Sequence, residues 1–124
     1  MNLSAARYLG AVMVAVVGVV HLQQYVSFIK DVPTIGPLFL LNAAGAGAIV
    51  VMLAVARIRT VAALGGLALC AGSLVSIAVS ASSSGLFGYS EPTLRGPVAV
   101  AVVAELLGLL ILASFVLQRR RVAA

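Results

Sequence analysis

The chain has little charge, no tryptophan and a single cysteine. Only 9% of its 124 residues are charged, whereas about a quarter are charged in an ordinary soluble domain. The lone Cys70 excludes an intrachain disulfide and a CxxC motif, and it suits a small packing position. Eight cations against three acids give a net charge of +5, but the cations are too few and too clustered for a nucleic-acid-binding surface.

Hydrophobic residues make up 63% of the chain instead. Four runs carry at most one charge each, at residues 8–29, 32–56, 60–90 and 96–118. Each run is long enough to cross a bilayer, because about 20 helical residues span a ~30 Å hydrocarbon core. The sequence therefore predicts an all-α membrane protein in one domain, residues 1–124, with lipid as its solvent and transmembrane helices at about 7–29, 37–57, 61–83 and 97–118.

The positions of the cations predict the topology. Six of the eight lie before the first span, between the second and third, or after the fourth: Arg7, Arg57, Arg59, Arg119, Arg120 and Arg121. The positive-inside rule then places both termini in the cytoplasm, as in a multi-pass protein of a bacterial cytoplasmic membrane. We expect the first run to be retained as a helix, because no A-x-A-like cleavage site follows it.

The two outer loops share a pattern that favours a duplicated helical hairpin. Residues 31–37 read DVPTIGP and residues 91–97 read EPTLRGP, so Pro37 and Pro97 are 60 positions apart, as are Arg59 and Arg119. An internal repeat of residues 1–60 and 61–124 would make the fold two tandem hairpins related by an axis along the membrane normal. The alternative is that Pro-Thr and Gly-Pro are merely common loop chemistry.

Small residues recur every four positions along the third span. They are Ala68, Gly72, Ser76, Ser80 and Ser84. This spacing places them in one stripe on a helix, and such a stripe lets another backbone approach closely. The approaching helix belongs either to the same chain or to another molecule.

One polar side chain from each span is expected in the same outer layer. The helical rise gives depths below the outer boundary of about 12 Å for His21, 8 Å for Asn42, 10 Å for Ser76 and 12 Å for Glu105. Gln24 shares the face of His21. A carboxylate at this depth is costly, so we expect Glu105 to pair with His21, supported by the other three residues.

Such a His-Glu pair has several physical uses. It suits a proton relay, a weak metal site or a polar clamp for a ligand head group. The alternative is that these polar residues are interhelical contacts that fix the helix register. One His and one Glu are too few for a tight metal site, so metal binding would need a dimer or a partner's ligands, and the sequence requires no cofactor.

The outer loops supply a second set of candidate contacts. They are Asp31, Phe87, Tyr89, Glu91 and Arg95. Aromatic residues at this level are typical of an interfacial belt. The alternative is a protein-docking loop, because residues 82–96 exceed what a tight hairpin needs.

Several stretches carry a resemblance to known proteins. They are His21, Leu22 and Tyr25, then PTIGPLFLLN at 33–42, and GLFGY at 85–89 with Glu91. Over most of its length the chain resembles a family of small four-helix bacterial membrane proteins, which implies that fold and no activity. It also resembles small multidrug transporters, which have four helices and a membrane glutamate. Here the glutamate is in the fourth span and tryptophan is absent, so their mechanism is not carried over.

These observations order the function classes. The chain lacks GxSxG, HExxH, P-loop and Rossmann motifs, so an enzyme is not expected. The leading expectation is a non-enzymatic accessory or assembly subunit, or a small oligomer, that acts through helix packing and its outer loops. The second is a proton-coupled or metal or small-ligand transporter that uses His21 and Glu105.

Overall fold

The computed structural model describes residues 1–91 and 94–124, and these residues form a helical bundle. Helix α1 spans Leu3–Gln24 and continues as a π-helical turn over Tyr25–Ile29. The other helices are α2 (Ile35–Ala54), α3 (Arg59–Ser80) and α4 (Gly96–Ala123). Four helices, with the π-helical turn counted into the first, are long and apolar enough to cross a membrane. The prediction of an all-α chain with four candidate spans is confirmed.

The helix boundaries differ from the predicted spans by one to five residues, except where the π-helical turn ends at Ile29. Helix α2 begins at Ile35, two residues before the expected Pro37. Helix α3 ends at Ser80, so Ser84 lies in a turn and the prediction that it extends the helical stripe is wrong. Helix α4 continues past residue 118 to Ala123, so its C-terminal arginines are helical. The Pro-Thr pair at 92–93, which is part of the repeated pattern in the second outer loop, lies outside the described residues.

Local chemistry explains how the helices start and stop. The side chain of Asn2 accepts a hydrogen bond from the Ala5 amide at 2.8 Å and so caps α1. Pro97 lies in the first turn of α4, where proline loses no intrahelical hydrogen bond. At the end of α1 the Lys30 amide donates to the Tyr25 carbonyl at 3.0 Å, the i to i+5 bond of a π-helix.

The four helices form a closed ring in chain order. Helices α1 and α3 each pack against both α2 and α4, and α1 also contacts α3 across the middle. Gln24, at the end of α1, meets Arg95, at the start of α4, so these two helices are antiparallel. Both termini therefore lie at one end of the bundle, the terminal end. Residues 30–34 and 81–95 lie at the other, which we call the loop end.

Glycines allow the closest approach between helices near the terminal end. The fully buried Leu112 of α4 fits between Gly10 of α1 and Gly66 of α3. A Cβ built on Gly66 would lie 2.6 Å from Leu112 Cδ1, and one built on Gly10 would overlap Leu112 Cδ2. Leu112 is thus enclosed by three helices, next to the buried Phe115 and Val14 of the same core.

Candidate functional site

Three buried polar side chains meet between α1, α3 and α4. The Ser73 hydroxyl lies 2.5 Å from Glu105 Oε1 and 3.3 Å from His21 Nε2. The exposed fractions are 7% for His21, 8% for Ser73 and 0% for Glu105. We call these residues the central cluster. It brings together the predicted pair, His21 and Glu105, through a serine that joins them.

Hydrogen-bond accounting constrains the protons of the central cluster. The Val17 carbonyl, which can only accept, lies 2.8 Å from His21 Nδ1, so Nδ1 carries a proton. Ser73 has one hydroxyl hydrogen and two neighbours. If Glu105 is protonated it donates to Ser73, which donates to the free Nε2. If Nε2 carries the proton it donates to Ser73, which donates to the carboxylate. Both arrangements contain the same number of protons, so one proton is shared along the chain.

The environment of Glu105 leaves its carboxyl group incompletely satisfied. Its second oxygen, Oε2, is buried and has no hydrogen-bond partner among the described residues. The ion pair that the structure shows in the described parts of the chain is formed by Glu91 and Arg95, not by Glu105. Burying an ionised carboxyl with so little compensation is unfavourable, which favours the arrangement in which Glu105 holds the shared proton.

A small cavity connects the central cluster to the loop end. Its volume is about 70 Å³, enough for a few water molecules. His21 and Ser73 line its deep part, and Tyr89, Glu91 and Arg95 line its part near the loop.

A second group of polar side chains lines the loop end of this cavity. Arg95 donates to both Glu91 oxygens, from Nε at 2.7 Å and from Nη2 at 3.0 Å, and its Nη1 donates to Gln24 at 2.9 Å. The Tyr89 hydroxyl also donates to Glu91. We call these four residues the loop cluster. It ties the end of α1 to the loop and to the start of α4.

The charges of the loop cluster are mutually compensated. The hydrogen bonds from Arg95 hold the pKa of Glu91 below its ordinary value, against the opposing effect of burial. The pKa of the Tyr89 hydroxyl is raised, first by burial and then by its bond to Glu91. At neutral pH the loop cluster therefore contains a carboxylate, a guanidinium and a neutral phenol.

The loop itself is an ordered hairpin. Leu86 and Tyr89 exchange two backbone hydrogen bonds of 2.8 Å, and the Glu91 amide donates to the Ser80 carbonyl at 2.8 Å. The two residues between them, Phe87 and Gly88, have φ of 47° and 79°, as in a type I′ turn. Phe87 is 67% exposed at the tip. A positive φ is unfavourable for phenylalanine. Phe87 nevertheless adopts it at the tip of the turn, where its aromatic ring lies on the surface.

The remaining predicted site residues are distributed differently from the expectation. Ser76 donates to the Gly72 carbonyl of its own helix at 2.8 Å, and Gln24 belongs to the loop cluster. The side-chain oxygen of Asn42 is buried without a hydrogen-bond partner in the described residues. Asp31 is exposed. The expectation missed Ser73, which lies outside the four-residue series.

The small-residue stripe lies along an open groove between α2 and α3. Its volume is about 450 Å³. Ala68, Gly72 and Ser76 line it, whereas Ser80 lines the smaller cavity between the central cluster and the loop cluster and donates to the Ile77 carbonyl.

Among the described residues, no three His, Cys, Asp or Glu side chains come together as a metal site would require.

The fold and the central cluster define a small bundle of helices, each long and apolar enough to cross a membrane, with a buried His-Ser-Glu hydrogen-bond chain. Comparisons with known protein families, with curated proteins and with solved structures gave no match.

Proposed function

We propose that this protein is a small proton-coupled transporter of the membrane. The observation that supports the proposal is the chain from His21 through Ser73 to the fully buried Glu105, along which one proton can reside on Glu105 or on His21. Intramembrane acids with this kind of environment are typical of proton pathways. The cavity between the central cluster and the loop cluster is where protons and a small solute enter.

The proton step is tested without knowledge of the solute. The full chain is reconstituted in vesicles that contain a trapped pH-sensitive dye, and a membrane potential set by potassium and valinomycin drives protons inward. We expect a protein-dependent proton flux that Glu105→Gln reduces to the level of protein-free vesicles. Asp31→Asn removes an exposed carboxyl and serves as the matched control, with unchanged flux. A Glu105→Gln variant that conducts like the wild type would overturn the proposal.

We also propose that both termini face the cytoplasm of a bacterial cell and that the chain arose as two tandem hairpins. The clustering of six arginines near the terminal end supports this orientation. Ser83→Cys at the loop end should react with a membrane-impermeant maleimide in intact cells, and Ser4→Cys only after permeabilisation; both residues are exposed. The reverse pattern would contradict the orientation.

A second candidate function is that of an accessory subunit that docks through the loop end. The exposed Phe87 on an ordered turn favours it. Native mass spectrometry of the gently extracted protein should then show a heteromeric mass that Phe87→Ser abolishes. Phe28→Ser changes another exposed aromatic of the loop end and should leave the mass intact. A homomeric or monomeric mass in the wild type counts against this role.

A further inference from the structure

The seam between α1, α3 and α4 is built in layers that repeat every seven residues along each helix. The central cluster forms one layer. Seven residues closer to the terminal end on each helix lie Val14, Gly66 and Leu112. A Cβ built on Gly66 would lie 2.6 Å from Leu112 Cδ1 and 3.5 Å from Val14 Cγ2, so these three residues also form a layer. The three helices therefore keep one register over this step, which is about two helical turns.

The next layer in this register consists of three arginines. A further step of seven residues on each helix reaches Arg7, Arg59 and Arg119, which we call the arginine layer. All three side chains are half-buried, whereas the other three arginines of the terminal end are exposed. The arginine layer lies about 21 Å from the central cluster by the helical rise. With the candidate spans in a bilayer, it falls at the boundary of the ~30 Å hydrocarbon core, where lipid head groups lie.

The arginine layer has no acidic side chain of the chain as a partner. The whole sequence contains three acids. Asp31 and Glu91 lie at the loop end, and Glu105 belongs to the central cluster. Three positive charges at one level repel one another, and no carboxylate side chain lies near enough to offset the repulsion. An anion from outside the chain is the partner that this layer requires.

The contacts of the guanidinium groups leave their edges free. Arg7 Cζ lies 4.3 Å from the centroid of the Tyr8 ring, and Arg119 Cζ lies 6.0 Å from that of Phe115. A cation–π contact uses the flat face of a guanidinium, whereas an oxyanion is bound by the N–H groups at its edge. The Nε atoms of Arg7 and Arg59 are enclosed without a hydrogen-bond partner in the described residues, so a ligand would meet the terminal nitrogens.

We propose that the arginine layer binds the phosphate group of an anionic membrane lipid. A guanidinium pairs two of its N–H groups with two phosphate oxygens, and three such groups lie at one level on three packed helices. This site goes beyond the proposed proton step, because the apolar layer that contains the fully buried Leu112 separates it from the central cluster.

The test counts the lipids that remain on the chain in native mass spectrometry. The full chain in an uncharged detergent receives phosphatidylglycerol and phosphatidylcholine with the same acyl chains, at equal concentration. We expect one phosphatidylglycerol per chain, retained about tenfold more than phosphatidylcholine, because the choline ammonium brings a like charge beside the arginines. Inorganic phosphate at the concentration of the lipid should not displace it, since it lacks the acyl chains that hold the head group at the boundary.

Matched variants separate the arginine layer from the total charge of the terminal end. Changing all three residues of the layer to glutamine should remove the preference for phosphatidylglycerol. The control changes the three exposed arginines, removes the same charge from the same end and should retain the preference: Arg57→Gln, Arg120→Gln and Arg121→Gln. Arg59→Lys alone keeps the charge but cannot pair two N–H groups with two oxygens, so it should weaken the binding of phosphatidylglycerol several-fold.

The outcomes are distinguishable from those of the proton step. Glu105→Gln should bind phosphatidylglycerol as the wild type does, so a failed flux experiment leaves this result readable. Equal losses in the two glutamine triples, or unchanged binding in Arg59→Lys, would assign retention to net charge and overturn the proposal. Equal retention of the two lipids would also overturn it. Displacement by inorganic phosphate would assign the layer to a soluble anion and contradict the lipid.

Discussion

The bundle buries two glutamates in two different environments. Glu91 accepts hydrogen bonds from Tyr89 and from two nitrogens of Arg95, whose charge balances its own. Glu105 is more deeply buried, shares one hydrogen bond with Ser73 and leaves an oxygen without a partner in the described residues. The loop cluster holds its carboxyl in one charge state, because every oxygen is satisfied in that state. In the central cluster Ser73 can bond to Glu105 in either charge state, and burial favours the protonated one.

This difference separates a structural acid from a candidate functional one. A compensated carboxylate stabilises the geometry around it, and its removal is felt as lost stability. An uncompensated buried carboxyl is costly to desolvate and adds little to the free energy of unfolding. Its presence is therefore better explained by a role in proton transfer. The comparison is useful because the residue type is the same and both side chains are buried.

The largest effect is expected from removing the serine that links the central cluster. Ser73→Ala breaks the proton chain between His21 and Glu105, and we expect the vesicle proton flux to fall by an order of magnitude or more. Ser73→Thr keeps the hydroxyl and should restore part of the flux. Ser76→Ala, one turn away, removes a hydroxyl that donates to its own helix and should leave the flux unchanged. Equal losses in both alanine variants would show that the effect is structural.

The next largest effect is expected when the loop cluster loses its cation. Arg95→Gln leaves Glu91 buried with Tyr89 as its remaining side-chain donor among the described residues, an environment similar to that of Glu105. The free energy of unfolding should drop by about 2 kcal/mol and the pKa of Glu91 should rise. Denaturant titration in micelles measures the loss. Adding Glu91→Gln should recover part of it, and no recovery would argue against an uncompensated charge.

A smaller effect is expected from acid. The pKa of Glu91 is lowered on folding, so its stabilising effect is complete above its ordinary value of 4.5 and is lost as pH falls through the lowered value. We expect the free energy of unfolding to fall by only about 1 kcal/mol in that acidic range, because Arg95 is 35% exposed and solvent weakens its ion pair with Glu91. Glu91→Gln should lack this component in a parallel pH series. An identical acid dependence would assign the loss to other groups.

The smallest effect is expected from Tyr89→Phe. The substitution removes one of the three side-chain donors to Glu91 that residues 1–91 and 94–124 supply, and it leaves the ring in place. We expect a loss of about 0.5–1 kcal/mol in the free energy of unfolding and a slight rise in the pKa of Glu91. Thermal unfolding at neutral pH measures the first. A loss as large as that of Arg95→Gln would mean that the phenol, not the guanidinium, dominates the loop cluster.

The sequence predicts the candidate spans well because hydropathy is a property of the chain alone. Four long apolar runs gave four helices, with boundary errors where Ser80 ends α3 early and where basic residues remain helical in α4. The π-helical turn at Tyr25 was not predicted, because nothing in its composition distinguishes it from an α-helical turn. Helix bounds depend on local hydrogen bonds that hydropathy does not report.

The candidate site was predicted in part. Depth along each helix brought His21 and Glu105 to one level, but rotation about the helix axis decides which side chains touch. Depth along α3 selected Ser76, whereas the buried face of α3 follows the spacing of Gly66, Cys70, Ser73 and Ser80. That alternation of steps of four and three, as in packed antiparallel helices, is the signal that could have found Ser73. The loop cluster depends on long-range pairing of Gln24 with Arg95, which no local pattern contains.

The enclosure of Leu112 has a consequence for how this sequence can diverge. Gly10 and Gly66 have no room for a methyl group while Leu112 is present, and shortening Leu112 alone leaves a void that costs about 2–5 kcal/mol. Each single change is unfavourable, yet a larger residue at position 10 or 66 together with a smaller one at position 112 conserves the volume. Descendants of this chain should therefore show covariation among positions 10, 66 and 112, with paired exchanges in place of independent drift.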